Sequence, residues 1–288
     1  MTASHQTSLM VVTGASTGMG AATARALAAR GHHVLAGVRR ERDADAIRAG
    51  GVEPVLLDIT RPEHVRALAD RVGADERPLR ALVNNAGVSV NAPVEALPLA
   101  EWRNLFEVNL FGHVAVTQAL LPSLHRSRGR IVNISSVGGK VAMATYGPYA
   151  GTKFALEAVS DALRRELAPH GVQVVVVEPG AVRTEMGERG AATAHDLAGK
   201  MSSEHRRRYG GLVEAVVAHS LAFTRAGLAA DKAAAVIAEA ATARRPRTRY
   251  PIGRDAGLLT RLARVIPDRA LDRVAAASLR KYWPREAA

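Results

Sequence analysis

Tyr149 and Lys153 stand four residues apart in the segment Tyr149-Ala-Gly-Thr-Lys153. On a helix that spacing puts a phenol and an ammonium on one face, so both can address one site. A phenol with an ordinary pKa of about 10 is a poor acid or base near neutrality. A nearby cation favours the phenolate, so Lys153 is expected to lower Tyr149. Tyr146 lacks such a partner, because the residue four on is Ala150. Ser136 follows the apolar run Arg130 to Ile134. A side chain at the carboxyl end of a buried strand faces a ligand crevice, and the Ser136 hydroxyl can donate there to a carbonyl oxygen.

A second group of residues suits an anionic ligand. Leu9 to Val12 runs directly into Thr13-Gly14-Ala15-Ser16-Thr17-Gly18-Met19-Gly20 and then into an amphipathic stretch. Glycines at a strand-to-helix junction allow a tight turn and let the backbone approach a pyrophosphate, while the helix N-terminus offers free N–H groups. The spacing Gly-x-x-x-Gly-x-Gly differs from the common Gly-x-Gly-x-x-Gly, and its place after the first strand of a βαβ unit carries the dinucleotide reading. The second strand ends in Val38-Arg39-Arg40, with no acid before Glu41. An acid there would bind the ribose 2′-hydroxyl of NAD, whereas a base accommodates the 2′-phosphate of NADP. Arg39, with Arg40 beside it and Ser16 as an extra donor, therefore points to NADP(H) over NAD(H).

These groups need a scaffold, and the apolar runs supply one. Leu9–Val12, Val34–Val38, Pro54–Leu57, Arg80–Val83, Arg130–Ile134 and Gln173–Val177 read as continuous buried strands, the pattern of a parallel sheet. Helices are predicted over Ala21–Arg30, Asp43–Ala49, Pro62–Val72, Leu99–Arg126 and Tyr149–Pro169. Alternation of this kind predicts an α/β, Rossmann-type, doubly wound parallel sheet. After Gly180 the rhythm breaks into a polar, glycine-containing segment over 184–210, then helices at Leu212–Thr224 and Lys232–Ala243 and a last strand at Arg249–Ile252. The expectation is one domain over 1–288: a cofactor and catalytic core (9–184), a substrate lid and helices (185–248), and a last strand with a C-terminal helical extension (249–288).

The 288 residues contain no cysteine, which excludes thiol catalysis, disulfides and thiolate metal sites and fits a reducing, cytoplasmic setting. The first eight residues do not read as a signal peptide, and no apolar run reaches the length of a membrane span. The histidines show no metal-ligand spacing. The formal charge of +12 is unevenly spread: residues 201–288 hold 17 Lys and Arg against 8 acids. Charge alone suggests a nucleic-acid binder, but 11 aromatics and no recognisable module argue against one.

Taken in order, the glycine loop, Asn84-Asn85-Ala86-Gly87, Asn109, Ser135-Ser136, Tyr149 with Lys153, and Pro179-Gly180 resemble the short-chain dehydrogenase/reductase family over residues 9–184. The resemblance implies hydride transfer between a nicotinamide and a carbonyl or carbinol carbon. Tyr149 would be the general acid in reduction and the base in oxidation, and Ser136 would hold the substrate oxygen. Lys153 would tune Tyr149 and contact the nicotinamide ribose, and Asn109 would kink its helix and order a relay water. Asp58 and Ile59 match the adenine-contacting pair, and Asn85, Ala86 and Gly87 the floor under the cofactor. Pro179, Gly180, Val182 and Thr184 match the segment that grips the carboxamide and phosphates. No metal is implied.

Val38-Arg39, Ser136-Val-Gly-Gly139 and Lys153-Phe-Ala-Leu-Glu157 resemble the NADP-using steroid and retinol dehydrogenase branch, so a hydrophobic alcohol or carbonyl substrate is expected. Likeness to the family also implies a homodimer or homotetramer built on the Leu99–Arg126 and Tyr149–Pro169 helices. A cofactor-binding regulatory or scaffold protein is the competing reading, which the complete Asn109, Ser136, Tyr149 and Lys153 set disfavours. The run His205-Arg-Arg-Arg-Tyr209 is either a solvated helix face or a site for an acidic substrate group. The tail has apolar residues at 258, 259, 262, 265 and 266, then at 271, 274, 275 and 279, with Arg at 261, 264, 269, 273 and 280. It reads as two amphipathic helices split by Pro267. They pack on the core or close the pocket, join a subunit contact, or make a weak contact with an anionic membrane surface.

Overall fold

The computed structural model describes residues 7–263 and 265–284. β1 (Leu9–Val12) leads through the glycine loop into α1 (Gly18–Ala28), followed by β2 (His33–Val38), the short α2 (Ala44–Ile47) and β3 (Val52–Leu56). α3 (Pro62–Gly73) returns the chain to β4 (Leu79–Asn84). Then come α4 (Leu99–Phe106), α5 (Gly112–Ser127), β5 (Arg130–Ile134), α6 (Gly147–Leu167) and β6 (Gln173–Pro179).

Seven parallel strands make the sheet, in the order β3-β2-β1-β4-β5-β6 with β9 (Arg249–Ile252) on the far edge. The chain winds outward from β1 to β3 and returns to β4 on the other side, which opens a crevice at the carboxyl ends of β1 and β4. Successive residues of a strand face opposite sides, so β1 feeds two cores. Met10 and Val12 pack with Leu27 of α1 and with Ile237 on one face. Leu9 and Val11 pack with Leu68, Leu120 and Leu167 on the other. Both faces are covered, as the continuous apolar strands required.

Buried amides stitch the strands to the second layer. Asn84 Nδ2 donates to Thr117 Oγ1 at 3.0 Å and to Asn133 Oδ1 at 2.9 Å. Asn133 Nδ2 donates to Ser160 Oγ at 2.8 Å, so β4, α5, β5 and α6 share one polar chain. The helix expected over Leu99–Arg126 is continuous but changes pitch, with a π turn at Glu107–Phe111 between α4 and α5.

The largest departure from the sequence expectation lies after Thr184. The two-residue strands β7 (Val182–Arg183) and β8 (Leu228–Ala229) pair with each other, and between them stand α7 (Glu185–Gly199) and α8 (Ser203–Ala226). α8 thus begins nine residues before the predicted Leu212 start. Five glycines within these helices weaken the helical pattern, yet two of them serve packing: Gly187 lies against Thr224 and Gly190 against Ser89. Ala194, Met201, Val213 and Val217 form the small core that holds the pair together. α9 (Ala230–Thr242) then packs beside α1.

The tail forms α10 (Arg254–Leu262) and α11 (Asp268–Leu279), split at Pro267 as the sequence predicts. It seats on the body at three places. Ala256 is buried against Gly180, Trp283 lies over Gly211, and Tyr282 meets His219 edge-on at 5.3 Å. Arg264 and the side chain of Arg261 lie outside the described residues. No described helix is long and apolar enough to cross a membrane.

Candidate active site

A cleft of about 250 Å³ opens at the carboxyl ends of the strands. Gly14, Ser16, Thr17, Gly18, Met19 and Gly20 form its wall beside α1. Arg39, Asp58 and Ile59 line it on the β2–β3 side, Asn85, Ala86 and Gly87 at β4, and Tyr149, Lys153 and Thr184 farther along. Asn109, Ser136, Pro179, Gly180 and Val182 are not part of this lining.

The glycine loop is locked to β4. Gly14 has φ +63°, and a Cβ there would lie 2.7 Å from Ala86 Cα. Thr13 Oγ1 accepts from the amides of Asn85 and Ala86 at 2.9 and 3.0 Å. In return Asn85 Nδ2 donates to the carbonyls of Thr13 and Gly14. Thr17 caps α1 without a side-chain hydrogen bond, and no acid stands in its first turn. An uncapped, acid-free helix N-terminus facing a cleft is suited to an anionic group, so the residues fit the phosphates of a dinucleotide. Arg40 is turned away, bound to Asp43 at 2.7 and 3.0 Å. That leaves Arg39, exposed at the end of β2, as the cation at the β2–β3 side of the cleft. Burial raises the Asp58 carboxyl, but bonds from the Thr60 hydroxyl and amide, with Arg39 and His64 nearby, bring it below the usual range.

Tyr149 and Lys153 lie in the first turns of α6, and the cleft reaches both. Burial pushes the Tyr149 phenol up to about 12, against the pull of the Ser136 hydroxyl. Burial also brings Lys153 down to about 8, opposed by the Glu157 carboxylate. The lowering of Tyr149 by Lys153 expected from the sequence is therefore reversed in the protein alone. The Lys153 Nζ donates to the Ile134 carbonyl at 2.9 Å and sits 5.8 Å from the phenol ring centroid, so desolvation outweighs its field. Ser136 Oγ accepts from the Gly138 amide at 3.0 Å. That bond fixes the turn whose glycine approaches both Ser136 Oγ and the Tyr149 ring.

Asn109 is fully buried within the π turn. Its Oδ1 accepts from the Val88 amide at 2.9 Å, and its Nδ2 donates to the Val88 carbonyl and to Thr152 Oγ1. It thus ties the segment after β4 to α6. Pro179 ends β6, and the Gly180 amide donates to the Ile252 carbonyl at 2.9 Å.

Thr13, His113 and Arg189 carry roles that the sequence does not announce, and Met186 of the expected lid joins them at the site. Thr13 belongs to the loop but its clamping role depends on β4, distant in sequence. His113 is fully buried, and burial and Lys153 bring it down to about 3; neutral, it donates from Nε2 to the Ala86 carbonyl. Met186 and Arg189 of α7 join the lining, and Met186 lies against Gly87. The run at 205–209 is largely engaged: Arg208 pairs with Glu95 and Glu204, and Tyr209 donates to Glu95. Those pairs counter the reading of an open acid-binding patch. No metal-binding cluster occurs among the described residues.

Known proteins match this arrangement. The short chain dehydrogenase family profile covers residues 8–194. Retinol dehydrogenase 5 of Mus musculus is 39% identical over 279 residues, covering 91% of this chain and 86% of the relative. Among solved structures, a short-chain dehydrogenase from Streptomyces avermitilis aligns with TM-score 0.74 and 31% identity, over 95% of each chain. A short chain dehydrogenase from Burkholderia cenocepacia J2315, in complex with NADP, aligns with TM-score 0.73 and 26% identity over 93% of this chain and 97% of that one. With its sheet order, glycine loop and matched sequence, the chain belongs to the short-chain dehydrogenase/reductase family and is an NAD(P)-dependent oxidoreductase acting on CH–OH groups.

Proposed function

We propose that the protein interconverts a hydrophobic ketone or aldehyde and its alcohol, with NADP(H) preferred over NAD(H). One observation carries the reading: the cleft that takes in Tyr149 and Lys153 also takes in Arg39, whose neighbour Arg40 is bound to Asp43. A guanidinium at the end of β2 favours a 2′-phosphate over a bare ribose. The nicotinamide, when bound, supplies the hydride in reduction and accepts it in oxidation.

The chain's own groups handle the oxygen and its proton. Tyr149 gives a proton to the substrate oxygen in reduction and takes one in oxidation, with Ser136 donating a hydrogen bond to the same oxygen. The Lys153 ammonium makes the phenolate less costly once cofactor and substrate exclude water from the cleft. The side chain of Asn109 is committed to Val88 and Thr152, which leaves the backbone of the π turn to order a relay water. Asp58 and Ile59 hold the adenine end, and Thr184 with α7 closes over the nicotinamide end.

A hydrophobic substrate is supported by Met186 in the lid and by the 39% identity to a retinol dehydrogenase. We assign the protein to the cytoplasm, in keeping with its lack of cysteine, and expect a homo-oligomer. The test is a panel of carbonyls and alcohols assayed side by side with NADPH, NADH, NADP and NAD. Turnover of apolar ketones, aldehydes or alcohols with the phosphorylated cofactor is expected. Activity confined to small polar polyols, or equal use of NADH, would overturn the respective part.

A further inference from the structure

Behind Lys153, away from the cleft, five charged side chains converge from four segments. Glu157 lies one helical turn beyond Lys153 on α6. Its Oε2 meets Lys140 Nζ at 2.6 Å and Arg249 Nη2 at 3.0 Å. Arg249 also pairs with Asp161 at 3.0 Å and with Glu178 at 3.2 Å, and Lys140 lies 3.8 Å from Glu178. The Glu157 and Glu178 side chains are only 6% and 3% exposed. Burying these charges costs several kcal/mol each before pairing offsets it, so a surface patch would not resemble this.

The placement matters more than the pairing. Lys140 ends the turn that begins with Ser136. Glu157 and Asp161 belong to the helix of Tyr149 and Lys153. Glu178 immediately precedes Pro179-Gly180 in β6, and Arg249 is on the edge strand β9. Gly139 presses the Ser136 turn onto α6: a Cβ there would lie 3.1 Å from both Glu157 Cγ and the Lys153 carbonyl. Around Lys153 the other elements present few charges. β5 offers the Ile134 carbonyl, α5 offers the neutral His113, and α6 offers Tyr149 and Glu157. Glu157, four residues on from Lys153 on α6, places a carboxylate whose field favours the charged Lys153 against its burial.

We propose that Glu157 is a positioning residue for the Tyr149–Lys153 pair, its carboxylate serving as the counter-charge of Lys153 while Lys140 and Arg249 hold it and the Ser136 turn in place. The proposal rests on the proton-handling role given above to Tyr149 and Lys153. A carboxylate favours a nearby ammonium over the neutral amine, so its removal moves deprotonation of Lys153 to lower pH. Loss of Arg249 leaves the carboxylates less neutralised and moves it to higher pH.

The experiment is competitive acylation of the cofactor-free full chain across pH, read at the Lys153 peptide by mass spectrometry, beside pH profiles of kcat and thermal melts. Glu157→Gln is expected to lower the Lys153 labelling midpoint by about half a pH unit or more, roughly threefold in proton affinity. Arg249→Met is expected to raise it, and Glu157→Asp to restore it toward the parent value. Midpoints that stay fixed in both Glu157→Gln and Arg249→Met, with only the melting temperature lowered, would overturn the proposal. If Glu157→Gln does not fold, the signs of Glu157→Asp and Arg249→Met still decide it. Full turnover in Tyr149→Phe would instead sink the proton-handling reading, and the labelling midpoints are measured without it.

Discussion

Replacing Tyr149 by Phe removes a single oxygen from a side chain that is otherwise packed against the Ser136 turn. The ring contacts survive, so NADPH binding is expected to persist while kcat falls about 10²- to 10⁴-fold, the usual worth of a general acid or base. Fluorescence titration with NADPH beside a turnover assay checks both halves. Arg39→Ala acts at the other side of the cleft. A hydrogen bond to a charged group is worth about 1.5–3 kcal/mol, so KM for NADPH is expected to rise roughly 10- to 100-fold, with KM for NADH almost unmoved. A parallel loss with both cofactors would mean that Arg39 does not read the 2′-phosphate. Tyr149, Lys153 and Arg39 are legible in the sequence because residue type and local spacing define them. The clamp by Thr13 and the neutral His113 are not, since each acts through a partner 27 or more residues away. The Tyr149 pKa differs from the sequence expectation for a related reason: spacing reports the neighbouring ammonium, whereas burial depends on the whole fold.

The strands are readable at the scale of elements because β1, β5 and β9 are short apolar or aromatic-containing runs whose limits match the structure. α7 and the first half of α8 are not, since their stability comes from packing on each other and on Ser89, not from a clean apolar stripe. The π turn at Asn109 is likewise invisible to a 3.6-residue period, as an inserted residue shifts the face without interrupting the helix. The glycine loop gives the sharpest test at this scale. Gly20 lies inside α1, where alanine would gain about 1 kcal/mol by helix propensity alone. A Cβ there overlaps the Gly14 carbonyl and the Asn85 amide, so the sign is expected to reverse. Overpacking costs about 1–3 kcal/mol. In a domain of this size that lowers Tm by about 2–4 °C per kcal/mol, and the displaced loop is expected to lose NADPH binding as well. Calorimetry and titration of Gly20→Ala measure the two effects, and an unchanged or higher Tm would refute the close-packing argument.

Among the described residues of the whole molecule, the exposed large hydrophobics include a group on α4–α6 and a group in the tail, and the two differ in their surroundings. Leu99, Phe111 and Phe154 are 62%, 52% and 44% exposed on α4, the π turn and α6, helices that already pack on one another through Gly151, Phe106 and Trp102. Leu258, Leu262 and Val265 are exposed in the tail, which also carries the exposed Arg269, Arg273, Arg280 and Lys281. Residues 254–288 hold 8 Lys and Arg against 4 acids, so a self-association face built there would bring like charges together. A second copy is therefore better accommodated on the α4–α6 face, where a stable contact needs about 800 Å² from each partner. Placing a charge in the middle of such a contact leaves it buried without a partner, which costs several kcal/mol. Phe111→Glu with Phe154→Glu is accordingly expected to convert a homodimer or homotetramer into a smaller species by light scattering, while removal of residues 254–288 leaves the α4–α6 contact intact. The reverse result, monomers on truncation and an unchanged oligomer in the double variant, would move the interface to the tail. The α6 face carries a further consequence: Phe154 directly follows Lys153, so loss of the contact is expected to loosen the first turns of α6 and lower kcat as well as mass.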